Sequence, residues 1–268
     1  MVRWYDNVPL VSWVVLQGRC RDCRAGISWR YPAVELAVAV WFARVGANIW
    51  LYNFQNRFQL GRFSTGQWAD IYLNIVSVAI LGFLLIGLVV MDWQTQRLPD
   101  AFTLTGVGIG LALACVQSFF LAPGEGDIVL NSTHQLRLSS PGSSTAQGNL
   151  FLTGTEALIM GRVAAVAGAA LILLAVRWIY KALRKRDGMG MGDVKLLAMI
   201  AAFLGFGQSL IALFAGVLAA SVYGLVLIAR RKAGGETKIP FGSFLAAGGL
   251  LAALHGHAVI DWYAGLLR

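Results

Sequence analysis

The chain has 268 residues, of which 57% are hydrophobic and only 13% are charged, whereas a soluble domain carries about 25% charged residues. Its apolar residues lie in runs long enough to cross a bilayer as helices, which takes roughly 20 residues each. The composition therefore excludes a soluble protein, and the long runs exclude a membrane β-barrel, whose strands are short and alternating. We predict an all-α polytopic membrane protein with about seven transmembrane helices.

The first segment, residues 1–31, mixes polar and aromatic residues and contains Cys20 and Cys23. It shows no cleavable signal peptide. We predict a small cytoplasmic segment here, followed by a transmembrane domain over residues 32–268. Within that domain, residues 123–155 are rich in Gly, Ser and Thr and are predicted to form a long external loop.

The predicted spans lie near residues 32–52, 70–91, 100–122, 156–180, 194–206, 208–229 and 243–264. Sixteen of the 22 lysines and arginines fall on one side of these spans. Because lysine and arginine accumulate in cytoplasmic loops, that side is predicted to face the cytoplasm. The net charge of +9 is then explained by topology and by contact with anionic lipid, and it needs no nucleic-acid partner.

The stretch 194–228 is too long for one span, because a single helix would measure about 52 Å in a bilayer core of roughly 30 Å. A break is predicted at Gly205-Phe206-Gly207. The first piece is then about 18 Å long, so Asp193 is expected roughly 10 Å below the cytoplasmic boundary. Glycine-rich backbone at that depth is tolerated where it lines a cavity, and a wet cavity open to the cytoplasm is the expected setting.

Four acidic residues lie near span ends on the predicted cytoplasmic side, namely Asp92, Asp100, Asp187 and Asp193. Asp100 fits a helix N-cap, and Asp187 lies in a polar turn. Asp92 ends an apolar helix, where the dipole disfavours an anion. We therefore expect Asp92 either to have a function or to pair with Arg97 or Lys195.

Asp193 follows Gly190 and Gly192, whose bare backbone would let another chain approach closely; the alternative is that Asp193 is only an N-cap. Two carboxylates in a cavity of low dielectric cannot both ionise easily, so one keeps a proton near neutral pH. The charged one can take a proton from water while the neutral one polarises a carbonyl. Asp92 and Asp193 together would support aspartic peptide hydrolysis.

Five stretches of the chain carry a further signal. They are Asn7 to Trp13, Cys20 to Glu35, Asp92 to Asp100, Gly190 to Leu196 and Ile239 to Gly242. In this order they resemble the motifs of the type IV prepilin peptidases, which are GxGD-type intramembrane aspartic proteases. The resemblance implies that Asp92 and Asp193 are the catalytic pair. It assigns substrate-binding or supporting roles to Gly190, Gly192, Lys195, Pro240, Phe241, Gly242 and Glu35.

The resemblance also implies a substrate and a location. Such enzymes remove the short basic leader from prepilins or pseudopilins at the cytoplasmic face of the bacterial inner membrane, without a cofactor. Many members then methylate the new N-terminus with S-adenosylmethionine. Local acids are expected to receive the basic leader, and the candidates are Asp6, Asp22, Asp187 and Glu236.

The chain departs from the family pattern in its cysteines. Members commonly carry two CxxC pairs, suited to one tetrahedral zinc site, whereas one pair, Cys20 and Cys23, is found here. The amino-terminal span that the family links to methylation is not found either, so we expect either a truncated start or a shortened member. We expect two free thiols or a partial zinc site completed from elsewhere, such as by a second molecule, and methylation stays open. A disulfide is not expected in a reducing cytoplasm.

Two supporting residues have more than one interpretation. Lys195 is expected either to favour the charged form of Asp193 or to hold lipid or backbone carbonyls. Glu35 is expected either to contact Arg30 or the cysteine segment, or to take part in catalysis.

Two other classes of function remain open at this stage. A proton-coupled transporter could use the two acids as a relay, but it would not require the glycines beside Asp193. An inactive membrane scaffold or assembly factor could keep the fold, and an Asp92–Asp193 separation too large to share a water would favour it. The expected partners are the substrate and the lipid bilayer, and the sequence assigns no oligomeric state.

Overall fold

The structure is a computed structural model, and it describes residues 10–55, 65–120, 155–185, 189–230 and 240–266. The described residues are helical apart from short connections and one isolated bridge between Arg19 and Gly26. The predicted all-α class is therefore confirmed. The predicted external loop lies outside the described residues except for its last residue, Thr155.

The chain divides into two compact units, Met1–Arg57 and Phe58–Arg268. The first unit groups the predicted cytoplasmic segment with the first predicted span, so its boundary falls later in the chain than the predicted one at residues 31 and 32. The division into a cytoplasmic segment and a transmembrane domain stays a prediction.

The first unit contains α1 (Val11–Val15) and α2 (Arg30–Gln55). Between these helices the chain doubles back over residues 20–25, where the backbone N–H of Cys20 donates to the carbonyl of Ala25 and Arg19 bridges to Gly26. Gly18 lies in the turn that follows α1, and its φ of +69° is in the region that favours glycine. The Trp13 ring lies against this turn, 3.1 Å from where a Cβ on Gly18 would be. The indole N–H of Trp13 donates to the carbonyl of Ile27 at 3.1 Å, which ties α1 to the segment that precedes α2.

The second unit contains six described helices: α3 (Thr65–Thr95), α4 (Asp100–Phe120), α5 (Thr155–Arg184), α6 (Met191–Leu204), α7 (Phe206–Ala229) and α8 (Phe241–Leu266). Five of them have segments long and apolar enough to cross a membrane, namely Ala69–Thr95, Asp100–Ser118, Leu158–Arg184, Phe206–Ala229 and Phe241–Leu266. Helices α2 and α6 match the other two predicted spans in position. The protein is a multi-pass membrane protein of the predicted class.

Helix α6 is the centre of the second unit and packs against α3, α4, α5, α7 and α8. Its 14 residues span about 21 Å. Five of its side chains have no exposed surface, namely Leu196, Leu197, Met199, Ile200 and Ala201. A helix that is apolar on all sides is stable only when it is surrounded, and that is the position α6 takes.

The predicted break after α6 is confirmed. Gly205 has a φ of +85° and ends α6, and α7 begins at the next residue, Phe206. Non-glycine residues rarely adopt this backbone conformation. The reversal at Gly205 lets a short buried helix be followed directly by a full-length span.

Helices α7 and α8 approach each other through glycines. A Cβ on Gly216 of α7 would lie 2.9 Å from the Cα of Leu245, and one on Gly248 of α8 would overlap the carbonyl oxygen of Ala212. Small residues allow this close contact between membrane helices. The contact fixes the start of α8, which carries part of the site described below.

Candidate active site

Three helix ends meet at the site. Asp92 lies in the last turn of α3, Asp193 is the third residue of α6, and Ser243 is the third residue of α8. The Asp92 and Asp193 residues are only 5% and 8% exposed, and their carboxylates are close enough to interact electrostatically. The structure therefore brings together the two acids that the sequence singled out.

Asp92 is held by Ser243. Its Oδ2 atom accepts a hydrogen bond of 2.6 Å from the backbone N–H of Ser243 and one of 3.0 Å from the Ser243 hydroxyl. That hydroxyl also lies 3.1 Å from the carbonyl of Val89, so its single hydrogen is shared between two acceptors. Asp92 thus ends one helix but faces the N-terminus of α8, which favours an anion.

This contact replaces the salt bridges considered for Asp92 from the sequence. Among the described residues, neither Arg97 nor Lys195 contacts the Asp92 carboxylate. Sequence reasoning missed Ser243, although the predicted motif ended one residue earlier, at Gly242. The available signal was a hydroxyl residue in the first turn of an apolar helix, where its N–H has no partner within the helix.

Asp193 lies in the first turn of α6, but it is not the N-cap. The N-cap position belongs to Gly190, and no side chain caps this helix. The backbone N–H of Gly190 hydrogen-bonds to the Asp193 carboxylate, and a Cβ on Gly190 would lie 3.7 Å from Asp193 Oδ2. The N-cap interpretation of Asp193 is therefore wrong, and Gly190 leaves backbone uncovered beside the carboxylate.

Leu98 packs between two of the predicted glycines. A Cβ on Gly192 would lie 2.9 Å from the Leu98 Cβ, and one on Gly242 would lie 2.9 Å from the Leu98 Cδ1 and 3.0 Å from the Asp92 Cγ. Gly192 was expected to leave room for another chain, but Leu98 occupies that room. Both glycines instead allow the chain after α3 to pack against the starts of α6 and α8.

Lys195 forms an ion pair with Asp100. The Lys195 Nζ lies 2.6 Å from the Asp100 Oδ1, with side chains 26% and 62% exposed respectively. Asp100 is the first residue of α4, so the pair links α4 to α6. Lys195 therefore has a partner other than those considered from the sequence, which were Asp92, Asp193 and lipid or backbone carbonyls.

The other two residues predicted to support the site lie at the start of α8. Pro240 directly precedes this helix, and Phe241 is its first residue and packs against the hydrophobic core. Next to them, an aromatic cluster joins α3, α7 and α8. Ring centroids are 5.9 Å apart between Trp93 and Tyr223, and 5.2 Å apart between Tyr223 and Phe244. The two helices that supply Asp92 and Ser243 are thus held together by apolar contact as well.

Glu35, Cys20 and Cys23 belong to the first unit. Glu35 is exposed and its Oε2 accepts a hydrogen bond of 3.2 Å from the backbone N–H of Leu10. This is a contact with the N-terminal segment, as one of the sequence interpretations expected, and the residue involved is Leu10.

Both cysteines of the CxxC pair are free thiols. Backbone hydrogen bonds from Cys23 and Asp22 lower the pKa of the Cys20 thiol, because they stabilise the thiolate. A tetrahedral zinc site requires four ligands. Among the described residues no group of three or more Cys, His, Asp or Glu side chains is arranged to hold a metal. The two thiols by themselves do not fit a closed zinc site.

Of the acids expected to receive a basic leader, Asp22 is exposed in the turn between the cysteines. Asp6, Asp187 and Glu236 lie outside the described residues.

Comparison with known proteins gives two family matches. Residues 1–49 match the model described as the Bacterial Peptidase A24 N-terminal domain, and residues 145–225 match the model described as the Type IV leader peptidase family. Together the two matches include Cys20, Cys23, Glu35 and Asp193.

Several curated proteins are similar to nearly the whole chain, and each is named prepilin leader peptidase/N-methyltransferase. The protein from Aeromonas salmonicida is 30% identical over 258 residues, which is 96% of this chain and 69% of the relative. The protein from Stutzerimonas stutzeri is 30% identical over 267 residues, covering 100% and 73%. The protein from Pseudomonas aeruginosa is 29% identical over 262 residues, covering 98% and 71%. No solved structure gives a significant match.

Proposed function

Because the chain belongs to the type IV leader peptidase family, it is a membrane peptidase, and we propose that Asp92 and Asp193 are its catalytic pair. The observation that carries this proposal is that two buried carboxylates lie close together. Asp92 ends α3 and Asp193 begins α6, and both lie at the site to which α8 contributes Ser243. A buried carboxylate in a membrane protein is costly and points to a function. Two of them side by side are more costly still, unless they share a proton.

The pair supports hydrolysis without a covalent intermediate. The charged carboxylate accepts a proton from a water molecule, and the protonated one donates a hydrogen bond to the carbonyl oxygen of the scissile peptide. The water then attacks the carbonyl carbon, and the leaving amine takes up a proton as the C–N bond breaks. The proposed proteolysis needs no cofactor.

The substrate that this function implies is the leader of a prepilin or pseudopilin, in line with the names of the relatives. We place the protein in the bacterial inner membrane with the site facing the cytoplasm, because the Lys and Arg residues lie mostly on that side. Methylation of the new N-terminus stays a prediction, since no contact or cavity among the described residues identifies a site for S-adenosylmethionine.

The transporter and scaffold alternatives are not favoured. A scaffold would not need two acids buried beside each other, and the family relatives are named as peptidases. A proton-coupled transporter is not favoured either, because the relatives and the matched family model are named as peptidases.

The test is cleavage of a prepilin by the purified protein in lipid vesicles, followed by mass spectrometry of the new N-terminus. Asp92→Asn and Asp193→Asn should each reduce cleavage by at least about a thousandfold, because each removes one half of the acid–base pair. Asp100→Asn is the matched control, since it removes a carboxylate nearby that is outside the pair. Full activity in either pair variant would overturn the assignment.

A further inference from the structure

We propose that Ser243 is a positioning residue that keeps the negative charge of the pair on Asp92, so that Asp92 is the base and Asp193 is the acid. This inference rests on the proposed function for the role of the pair. It concerns which carboxylate holds the proton, a property that can be measured with or without peptidase activity.

The first argument is the contact between Ser243 and Asp92. Both the N–H and the hydroxyl of Ser243 point to one oxygen, Asp92 Oδ2, at 2.6 Å and 3.0 Å. Donors that bond to a carboxylate favour its charged form, and such bonds are shorter and stronger than those between neutral groups. Ser243 is only 4% exposed, so water competes little for these bonds.

The second argument is that Asp193 receives fewer donors. Its backbone donor is the N–H of Gly190, and no described side chain hydrogen-bonds to its carboxylate. Helix ends alone would favour a charge on Asp193, because Asp193 lies at the N-terminus of α6, whereas Asp92 faces the N-terminus of α8 but also ends α3. The two bonds from Ser243 to Asp92 oppose that preference. The direct bonds from Ser243 therefore decide where the charge lies.

The third argument concerns the other charged groups around Asp92. Helix α6 contributes Asp193, and its cation Lys195 is paired with Asp100. Helix α7 contributes Tyr223 through the aromatic cluster with Trp93, and the first turn of α8 has no titratable side chain. Among the described residues, no cation contacts Asp92, so Ser243 is the group that stabilises its charge.

With the charge on Asp92 and the proton on Asp193, each carboxyl group has a defined role in the reaction. The Oδ1 atom of Asp92 has no hydrogen-bond partner among the described residues and is left to accept the proton of the attacking water. Asp193 gives its proton to the carbonyl oxygen as the hydroxyl oxygen bonds to the carbonyl carbon. When the C–N bond breaks, the leaving amine takes the proton held by Asp92. The carbonyl group re-forms as the hydroxyl that Asp193 had protonated returns that proton to Asp193. Both carboxyl groups end in their starting states.

The first test is the dependence of the cleavage rate on pH. Ser243→Ala removes the hydroxyl bond and keeps the N–H bond. Asp92 should then be protonated more readily, and the acidic midpoint of the rate curve should rise by about one pH unit. On the acidic limb the rate falls about tenfold, whereas the alkaline limb, which reports loss of the Asp193 proton, stays in place. Ser243→Thr should restore the midpoint.

The matched control is Ser221→Ala, which should leave the rate curve unchanged. It removes an exposed hydroxyl whose one hydrogen bond among the described residues is to the Val217 carbonyl within α7. An equal loss of rate at every pH in Ser243→Ala would show a merely structural role and overturn the proposal. A shift of the alkaline limb alone would overturn it as well, because Asp193 would then be the residue that Ser243 influences.

The second test does not depend on activity. In Asp193→Asn protein carrying isotope-labelled aspartate, NMR follows protonation of Asp92, whose signal is identified by its loss in Asp92→Asn. Adding Ser243→Ala should raise the midpoint of that protonation by about one pH unit. An unchanged midpoint refutes the role of Ser243 even if prepilin is cleaved. A raised midpoint, together with no prepilin cleavage by the protein with the native sequence, would refute the proposed function and leave the role of Ser243 standing.

Discussion

At the scale of single residues, the site is organised by hydrogen-bond donors and not by salt bridges. Asp92 is bonded by Ser243, and the nearby cation Lys195 bonds Asp100. A cation beside the pair would keep both carboxylates charged, which would remove the acid that peptide hydrolysis needs. The contact between Lys195 and Asp100 joins α6 to α4.

The ion pair between Lys195 and Asp100 should contribute little to stability or to the cleavage rate. Lys195→Met should lower the free energy of unfolding by about 0.2–1 kcal/mol, because Asp100 is 62% exposed and exposed pairs are screened by water. The cleavage rate should stay within about threefold of the wild type. Thermal unfolding in detergent and the prepilin assay measure the two effects.

The matched control for Lys195→Met is Asp100→Asn, which should have the same small effect, and the double change should be no worse than either alone. A loss of activity as large as that of Asp193→Asn would instead mean that Lys195 acts on Asp193.

At the scale of helices, the position of α8 determines whether Ser243 can reach Asp92. Helix α8 is held by backbone contact with α7 at Gly216 and Gly248 and by the aromatic cluster that includes Phe244. Because close packing between membrane helices requires small residues, this interface tolerates little change. A shift of α8 by a fraction of an ångström would weaken the bonds to Asp92.

Gly216→Ala tests this packing. The new methyl group would lie 2.9 Å from the backbone of Leu245, so the helices must separate. We expect a loss of about 1–3 kcal/mol in the free energy of unfolding together with reduced cleavage. Gly87→Ala on α3 is the matched control, because a Cβ there meets nothing within 4 Å. Equal stability of the two variants would contradict the packing argument.

At the scale of the whole molecule, the order of the spans places the three helix ends of the site on one side of the membrane. The charge distribution predicts that this side is cytoplasmic. Helix α5 ends there and α8 begins there, so the far end of α8 should lie outside.

Cysteine labelling tests this topology. In protein whose three native cysteines are changed to alanine, Lys185→Cys should react with a membrane-impermeant thiol reagent only after the membrane is opened. Asp261→Cys, near the far end of α8, should react in intact cells. Both positions are exposed, so accessibility within the fold does not limit either reaction. The reverse pattern would place the site on the outer side.

Much of this molecule could be predicted from its sequence. The apolar runs predicted the spans, and the length of residues 194–228 together with Gly205-Phe206-Gly207 predicted the break that the structure places at Gly205. The cost of burying a charge singled out Asp92 and Asp193. The membrane class and the break could be predicted because bilayer thickness acts on any sequence in the same way, whereas the catalytic role of the two acids stays a prediction.

Contacts between distant parts of the chain could not be predicted in this way. Nothing in the local sequence of Ser243 says that it bonds Asp92, and nothing near Gly192 says that Leu98 fills the space beside it. Lys195 was assigned to the wrong candidates because its partner, Asp100, comes close only when α4 packs on α6.

The sequence by itself determined the membrane class and singled out the two acids that we propose as the catalytic pair, because both follow from the cost of placing a group in lipid. Only the tertiary structure decided what surrounds those acids. Helix packing set the partner of each carboxylate, and with it the carboxylate to which we assign the charge. Hydrogen bonds depend on distances of a few tenths of an ångström, and such distances are set only when the helices are packed.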